Sequence, residues 1–230
     1  MRKLVVEAIG TFFLVLTIAL AALGGGAGAL APLAIGAVLM VMVYAGGHIS
    51  GAHYNPAVSV AVLVRRAMTA RELGGYAAAQ VIGATLAVII ARVLLPRVAD
   101  VADIEPDMLA MSIAEFVFTF ALAWVVLNVA TAEGTKGNSY FGLAIGFTVT
   151  AGAYAVGSIS GGAFNPAVAI ALMFMGALDV GTALLMILVQ LGAGAAAAAV
   201  FDRLVLDVDK PTTSTRGEQA GLRPAAEPER

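Results

Sequence analysis

His48-Ile49-Ser50-Gly51-Ala52-His53-Tyr54-Asn55-Pro56-Ala57-Val58 is spelled nearly the same way a second time, as Ser158-Ile159-Ser160-Gly161-Gly162-Ala163-Phe164-Asn165-Pro166-Ala167-Val168. Both copies read Ile-Ser-Gly, three further residues, then Asn-Pro-Ala-Val. Asn-Pro starts a helix: Asn supplies an N-cap oxygen, and Pro at the first helical position gives up no needed N–H. The helix after Asn55 runs out at Arg65-Arg66, and the one after Asn165 at the turn from Gly176 to Asp179. About ten residues at 1.5 Å each reach roughly 15 Å, half the hydrocarbon thickness of a bilayer. These are half-helices.

A helix that begins inside a membrane leaves its first N–H groups without water unless a cavity supplies it. Two such starts, one in each half of the chain, predict half-helices meeting end to end at mid-depth. Their positive dipole ends and the Asn55 and Asn165 side chains then face one wet space. That geometry makes a pore.

The rest of the chain sets the medium. Of 230 residues, 60% are hydrophobic and 12% charged, about half the charge of an ordinary soluble domain. The net charge of −2 carries no basic patch, so nucleic acid is not an expected partner. The absence of cysteine excludes disulfides, thiol chemistry and thiolate metal sites. Arg2-Lys3 before an apolar run, with Ala29-Leu30-Ala31 after it, imitates a signal peptide. A run from Leu4 to Leu23 is long enough to span and carries Glu7, so it reads as a retained helix.

Six spans are expected, at about 4–23, 31–47, 74–95, 108–131, 140–157 and 180–201. The halves, about 1–97 and 108–203, repeat one another within one domain, 1–203. Leu33-Ala34-Ile35-Gly36 matches Leu143-Ala144-Ile145-Gly146, and Gln80 matches Gln190, both at an offset of 110. Glu7 and Glu115 pair at an offset of 108. Three spans per half is an odd number of crossings, so the second copy enters the membrane inverted. Residues 207–230, rich in Pro, Thr, Glu and Arg, are expected to form a disordered cytoplasmic tail.

Basic residues orient the chain. Arg2, Lys3, Arg65, Arg66, Arg71, Lys136, Arg203 and Lys210 fall on one side of this topology, and Arg92 and Arg97 on the other. The second side also carries Asp100, Asp103, Glu105 and Asp107. Both termini are therefore expected in the cytoplasm. Gly36, Gly83, Gly142, Gly146, Gly192 and Gly194 are expected to let helices approach closely.

With six spans, two Asn-Pro-Ala half-helices, a membrane Glu in spans one and four, and inverted halves, residues 1–203 resemble the aquaporin (major intrinsic protein) family. The resemblance implies an all-α channel with an inverted 3+3 repeat in the cell membrane, one passive path per subunit, and a homotetramer. It implies a pore centre at Asn55, Pro56, Ala57, Asn165, Pro166 and Ala167. It also implies an outer constriction at Ile35, Ala153, Gly162 and Val168. Most of the family has Arg directly after the second Asn-Pro-Ala, where this chain has Val168. Arg orients the permeant with its five donors and repels cations, so a wider and more apolar constriction is expected here.

Two readings attach to Glu7 and Glu115: a proton relay, or acceptors for the N–H groups of the non-helical chain leading into each half-helix. No further acid or histidine at depth continues a relay, and the resemblance also points to the supporting role. His48 and His53 lie five residues apart with no third ligand, so no metal site or cofactor is expected. Phe12, Phe13, Phe116, Phe118 and Phe120 are packing or lipid-facing residues on this reading, while Tyr44 and Tyr54 fit a pore border or a membrane interface. The leading expectation is a passive channel for water and small uncharged solutes such as glycerol. A secondary transporter uses the same broken helices and repeats. An intramembrane enzyme lacks a nucleophile–base pair, because His48 is replaced by Ser158 in the second copy.

Overall fold

The computed structural model describes residues 1–95 and 107–205, all helical or loop. The expected tail at 207–230, the half boundary at 97, Arg97, Lys210 and the acidic residues Asp100, Asp103 and Glu105 lie outside the described residues. Eight α-helices follow in order: α1 Arg2–Ile18, α2 Ala31–Ser50, α3 Pro56–Val64, α4 Ala70–Leu94, α5 Met108–Thr131, α6 Phe141–Ser160, α7 Pro166–Phe174 and α8 Val180–Leu204. A π turn, Ala19–Leu23, prolongs α1. Six of these elements are long and apolar enough to cross a membrane. The other two, α3 and α7, have nine residues each and reach about 14 Å.

Local chemistry explains most boundaries. Thr69 caps α4 and exchanges bonds with Glu72 in a capping box, so this helix starts four residues before the expected 74. The α2 and α6 helices outlast the expected 47 and 157, ending at Ser50 and Ser160. Gly51 and Gly161, at φ of 85° and 82°, take the left-handed conformation that stops each one. His48 is therefore in the last turn of α2 rather than in a loop.

The inversion shows in which helices touch. α1 packs on α4 as α5 packs on α8, and α2 crosses α6 along the line relating the halves. At that crossing Gly36 and Gly146 meet: a Cβ on Gly146 would lie 2.5 Å from the Gly36 carbonyl oxygen. Gly83 and Gly194 accept equally close backbone, from Ala8 and Ala57. Gly142 takes the Tyr44 ring. Gly192 was expected among them, but nothing stands within 4 Å of its would-be Cβ. Large apolar residues face outward along α4 and α8, among them Ile82, Leu86, Ile89, Val93, Leu184 and Leu188, as a lipid boundary requires. Of the phenylalanines, Phe13 and Phe116 are exposed, while Phe12 and Phe118 pack on the main core.

Gly146→Ala is expected to lower the melting temperature in detergent, since its Cβ meets backbone that cannot yield, a destabilisation of about 1–3 kcal/mol. Gly192→Ala has open space and gains helix propensity, so its melting temperature should hold or rise.

Candidate functional site

The two loops entering α3 and α7 are held by one arrangement used twice. Glu7, fully buried on α1, accepts from Ser50 Oγ at 2.7 Å and His53 N at 3.0 Å on one oxygen. Its other oxygen takes Tyr54 N at 2.7 Å and Gln80 Nε2 at 2.8 Å. Glu115 on α5 does the same with Ser160 Oγ, Ala163 N, Phe164 N and Gln190 Nε2, at 2.7, 3.0, 2.8 and 2.8 Å. Four donors fill the acceptor positions of an ionised carboxylate, which is how a charge persists in a bilayer.

These bonds hold a backbone that would not otherwise stay put. Ala52, Tyr54 and Phe164 all have positive φ, at 52°, 49° and 46°. Such a conformation costs about 1–2 kcal/mol for each non-glycine residue. Tyr54 is wedged as well: a Cβ on Gly10 would lie 2.2 Å from its ring, and its hydroxyl donates to the Met42 carbonyl at 2.9 Å. Tyr44 serves elsewhere, bridging α2 to the start of α6 through Ser139 O and Leu143 N.

Each loop delivers an asparagine. Asn55 Oδ1 accepts from Ala57 N at 2.8 Å, and Asn165 Oδ1 from Ala167 N at 2.9 Å, so both cap their helices. Their amides reach across the repeat. Asn55 Nδ2 donates to Phe164 O and Asn165 Nδ2 to Tyr54 O, each at 2.8 Å. An amide nitrogen carries two hydrogens, so one remains on each Asn after this exchange. The far ends of the half-helices are tied by arginine: Arg92 donates to Phe174 O at 2.5 Å, and Arg65 to Thr131 O at 3.3 Å.

Beside this junction lies a cavity of about 190 Å³. Asn55 and Asn165 border it, and so do all four expected constriction residues, Ile35, Ala153, Gly162 and Val168. Pro56, Ala57, Pro166 and Ala167 are buried in the first turns behind the two asparagines. Glu7 and Glu115 stand off its wall, engaged with the loops. Unassigned from sequence were Leu14 and Ile18 of α1 with their repeat mates Leu122 and Val126 of α5, which also line it. The 108-residue offset already set by Glu7 and Glu115 would have paired them.

The halves differ at one polar spot. His53 borders the cavity, with Nδ1 3.0 Å from Ser59 Oγ, and Ser59 also accepts from Gln80 Nε2 at 3.2 Å. Ala163 and Ala169 occupy the mates of His53 and Ser59, so the second half has no such link.

A family model described as Major intrinsic protein matches residues 1–153 and, overlapping it, 104–225. "Aquaporin NIP1-1" from Oryza sativa subsp. japonica is 37% identical over 183 residues, covering 72% of this chain and 61% of that protein. "Aquaporin NIP3-1" from Arabidopsis thaliana is 37% identical over 142 residues, covering 57% of this chain and 44% of that protein. The chain thus spans about half to three-fifths of the length of these relatives. Among solved structures, the aquaglyceroporin from Plasmodium falciparum superposes with a TM-score of 0.76 at 18% identity, covering 92% of this chain and 99% of that one.

Glu115→Gln places an amide NH₂ or a single neutral oxygen among four donors. A loss of about 2–4 kcal/mol is expected, read as a lower melting temperature in detergent, and Glu7→Gln should match it.

Proposed function

Since the chain belongs to the major intrinsic protein family, we propose that it is a passive membrane channel, not an enzyme, for water and small uncharged solutes such as glycerol. The observation that carries this reading is the junction of two half-helix N-termini beside a cavity bordered by both asparagines. The matched proteins described as aquaporins and as an aquaglyceroporin support water and glycerol as the permeant class.

The mechanism follows from the donors and acceptors present. Asn55, Pro56, Ala57, Asn165, Pro166 and Ala167 form the pore centre in this reading. Each Asn offers its remaining amide hydrogen to a passing oxygen, which breaks a file of water at that point. The two helix N-termini together contribute roughly one positive charge, which disfavours cations and protons there. Ile35, Ala153, Gly162 and Val168 form the constriction, apolar and without a cation, so solutes wider than water are admitted and cation rejection rests on the centre. A secondary transporter is disfavoured by the two membrane carboxylates: each is saturated by four donors and has no free oxygen for a coupling ion.

Residues 1–203 act as one channel domain in this proposal, inserted in the cell membrane with both termini and the tail at 207–230 in the cytoplasm. Support comes from the basic residues: Arg2, Lys3, Arg65, Arg66, Arg71, Lys136 and Arg203 lie toward the end of the bundle that holds Met1. A homotetramer is proposed on the family resemblance, each subunit with its own path.

Val168→Arg restores a cation to the constriction, where Gly162, with only ordinary van der Waals neighbours around its missing Cβ, leaves room. Glycerol flux and proton flux through proteoliposomes at matched protein density should both fall relative to wild type, with water flux retained. Equal rejection by the two proteins would remove Val168 from the constriction.

A further inference from the structure

The cavity is lopsided about the asparagine pair. The Lys3–Glu72 ion pair puts the start of α4 at the Met1 end, so Arg92 in its last turn, and Phe174 of α7 beside it, lie at the far end. On that side the wall takes in Ala22 and Leu23 after α1, and Ala153, Ser160 and Gly161 at the close of α6. Leu172, Ala177 and Leu178, from the end of α7 and its turn, line it too. The repeat mates of all these residues lie off the wall. Toward Met1 only Tyr54, next to the asparagines, lines the cavity without its mate, Phe164. On α2 the wall stops at Leu39, and Val43, one turn nearer Met1, is 2% exposed and packed into the core. The cavity therefore runs out toward the far end and stops short toward Met1.

Side-chain size accounts for the difference. The far constriction is built of Ile35, Ala153, Gly162 and Val168, and its mates at the Met1 end are Ile145, Val43, Ala52 and Val58. The isoleucines and the valines 58 and 168 match, but Val43 replaces Ala153 and Ala52 replaces Gly162. Beside them, His53 puts an imidazole where Ala163 has a methyl group. Val126, one methylene smaller than Ile18, goes the other way. The His53 ring is also held in place, with Nδ1 3.0 Å from Ser59 Oγ and its centroid 5.0 Å from that of Tyr76. Tyr76 is anchored in turn, donating to Ser50 O at 2.7 Å. Close-packed side chains of this kind do not yield to a wider solute.

We propose that the path is narrowest at its Met1 end, where Val43, Ala52, His53, Val58 and Ile145 form a size-limiting neck tighter than the constriction formed by its mates. The inference rests on the channel reading and deepens it. The far constriction, lacking a cation, admits solutes that the neck then sorts by width, since pore diameter sets the cut. Ile145 and Ile35 give a matched pair for the test: one residue type, at equivalent positions of the two halves, both on the cavity wall.

The experiment measures water, glycerol and erythritol fluxes in proteoliposomes by stopped-flow scattering for wild type, Ile145→Ala and Ile35→Ala. Erythritol is longer than glycerol by one hydroxyl-bearing carbon. The expected result is an erythritol-to-glycerol ratio several-fold higher in Ile145→Ala, well above that of Ile35→Ala, with potassium leak at the wild-type level. A ratio that rises as much or more in Ile35→Ala, or that stays unchanged in both, overturns the proposal and leaves the channel reading standing. Wild-type protein no faster than empty liposomes for water and glycerol overturns both. If Ile145→Ala misfolds or leaks potassium, Ile145→Val and Ile35→Val decide, each one methylene smaller than wild type. The ratio of Ile145→Val should then exceed those of wild type and of Ile35→Val, and a ratio at or below either contradicts the neck.

Discussion

A carboxylate buried in a bilayer survives only if its acceptor positions are filled, and everything at the centre of this molecule depends on two that are. Glu7 and Glu115 each collect a serine hydroxyl, two backbone N–H groups and a glutamine amide. The benefit runs both ways. The loops before α3 and α7 are non-helical chain at membrane depth, where an unpaired N–H costs several kcal/mol. The carboxylates supply the acceptors those N–H groups lack, and so fix Ala52, Tyr54 and Phe164 in conformations they would otherwise leave.

With the loops fixed, the asparagines can work in pairs. Each caps its own half-helix through Oδ1 and donates through Nδ2 to the carbonyl just before the other asparagine. The halves are therefore joined at the centre by two reciprocal bonds, and at the α2–α6 crossing by Gly36 against Gly146. The amide orientation is set by these bonds rather than by any permeant. A donor that is already aimed loses no orientation entropy when an oxygen passes.

Much of this was legible in the residues, because cap chemistry and repeat register are local properties. Asn-Pro marks a helix start wherever it falls, two copies at a fixed offset imply a repeat, and an odd number of crossings per copy implies its inversion. The acceptor role of Glu7 and Glu115 was preferred to a relay because no further acid or histidine continues one at depth, and the family resemblance pointed the same way. The cross-repeat bonds did not, since no local pattern says which carbonyl an Asn amide will meet. Gly192 looked like Gly194, but only the packed helices distinguish a glycine facing Ala57 from one facing open space. Leu14, Ile18, Leu122 and Val126 were hidden among helices apolar on every side, where hydropathy carries no directional information. The π turn at Ala19–Leu23 was equally hidden, because a shift in hydrogen-bond register has no residue signature of its own.

The central claim is that the two asparagines meet on the permeation path as oriented donors. Asn55→Asp and Asn165→Asp test it directly, because aspartate keeps the cap and replaces the donating amide with an anion. Stopped-flow water permeability and cation leak should be measured on both variants in proteoliposomes, with folding checked by melting temperature. The account predicts lower water flux or a new cation leak in each variant that remains folded. Folded variants with wild-type water flux and no added leak would contradict it.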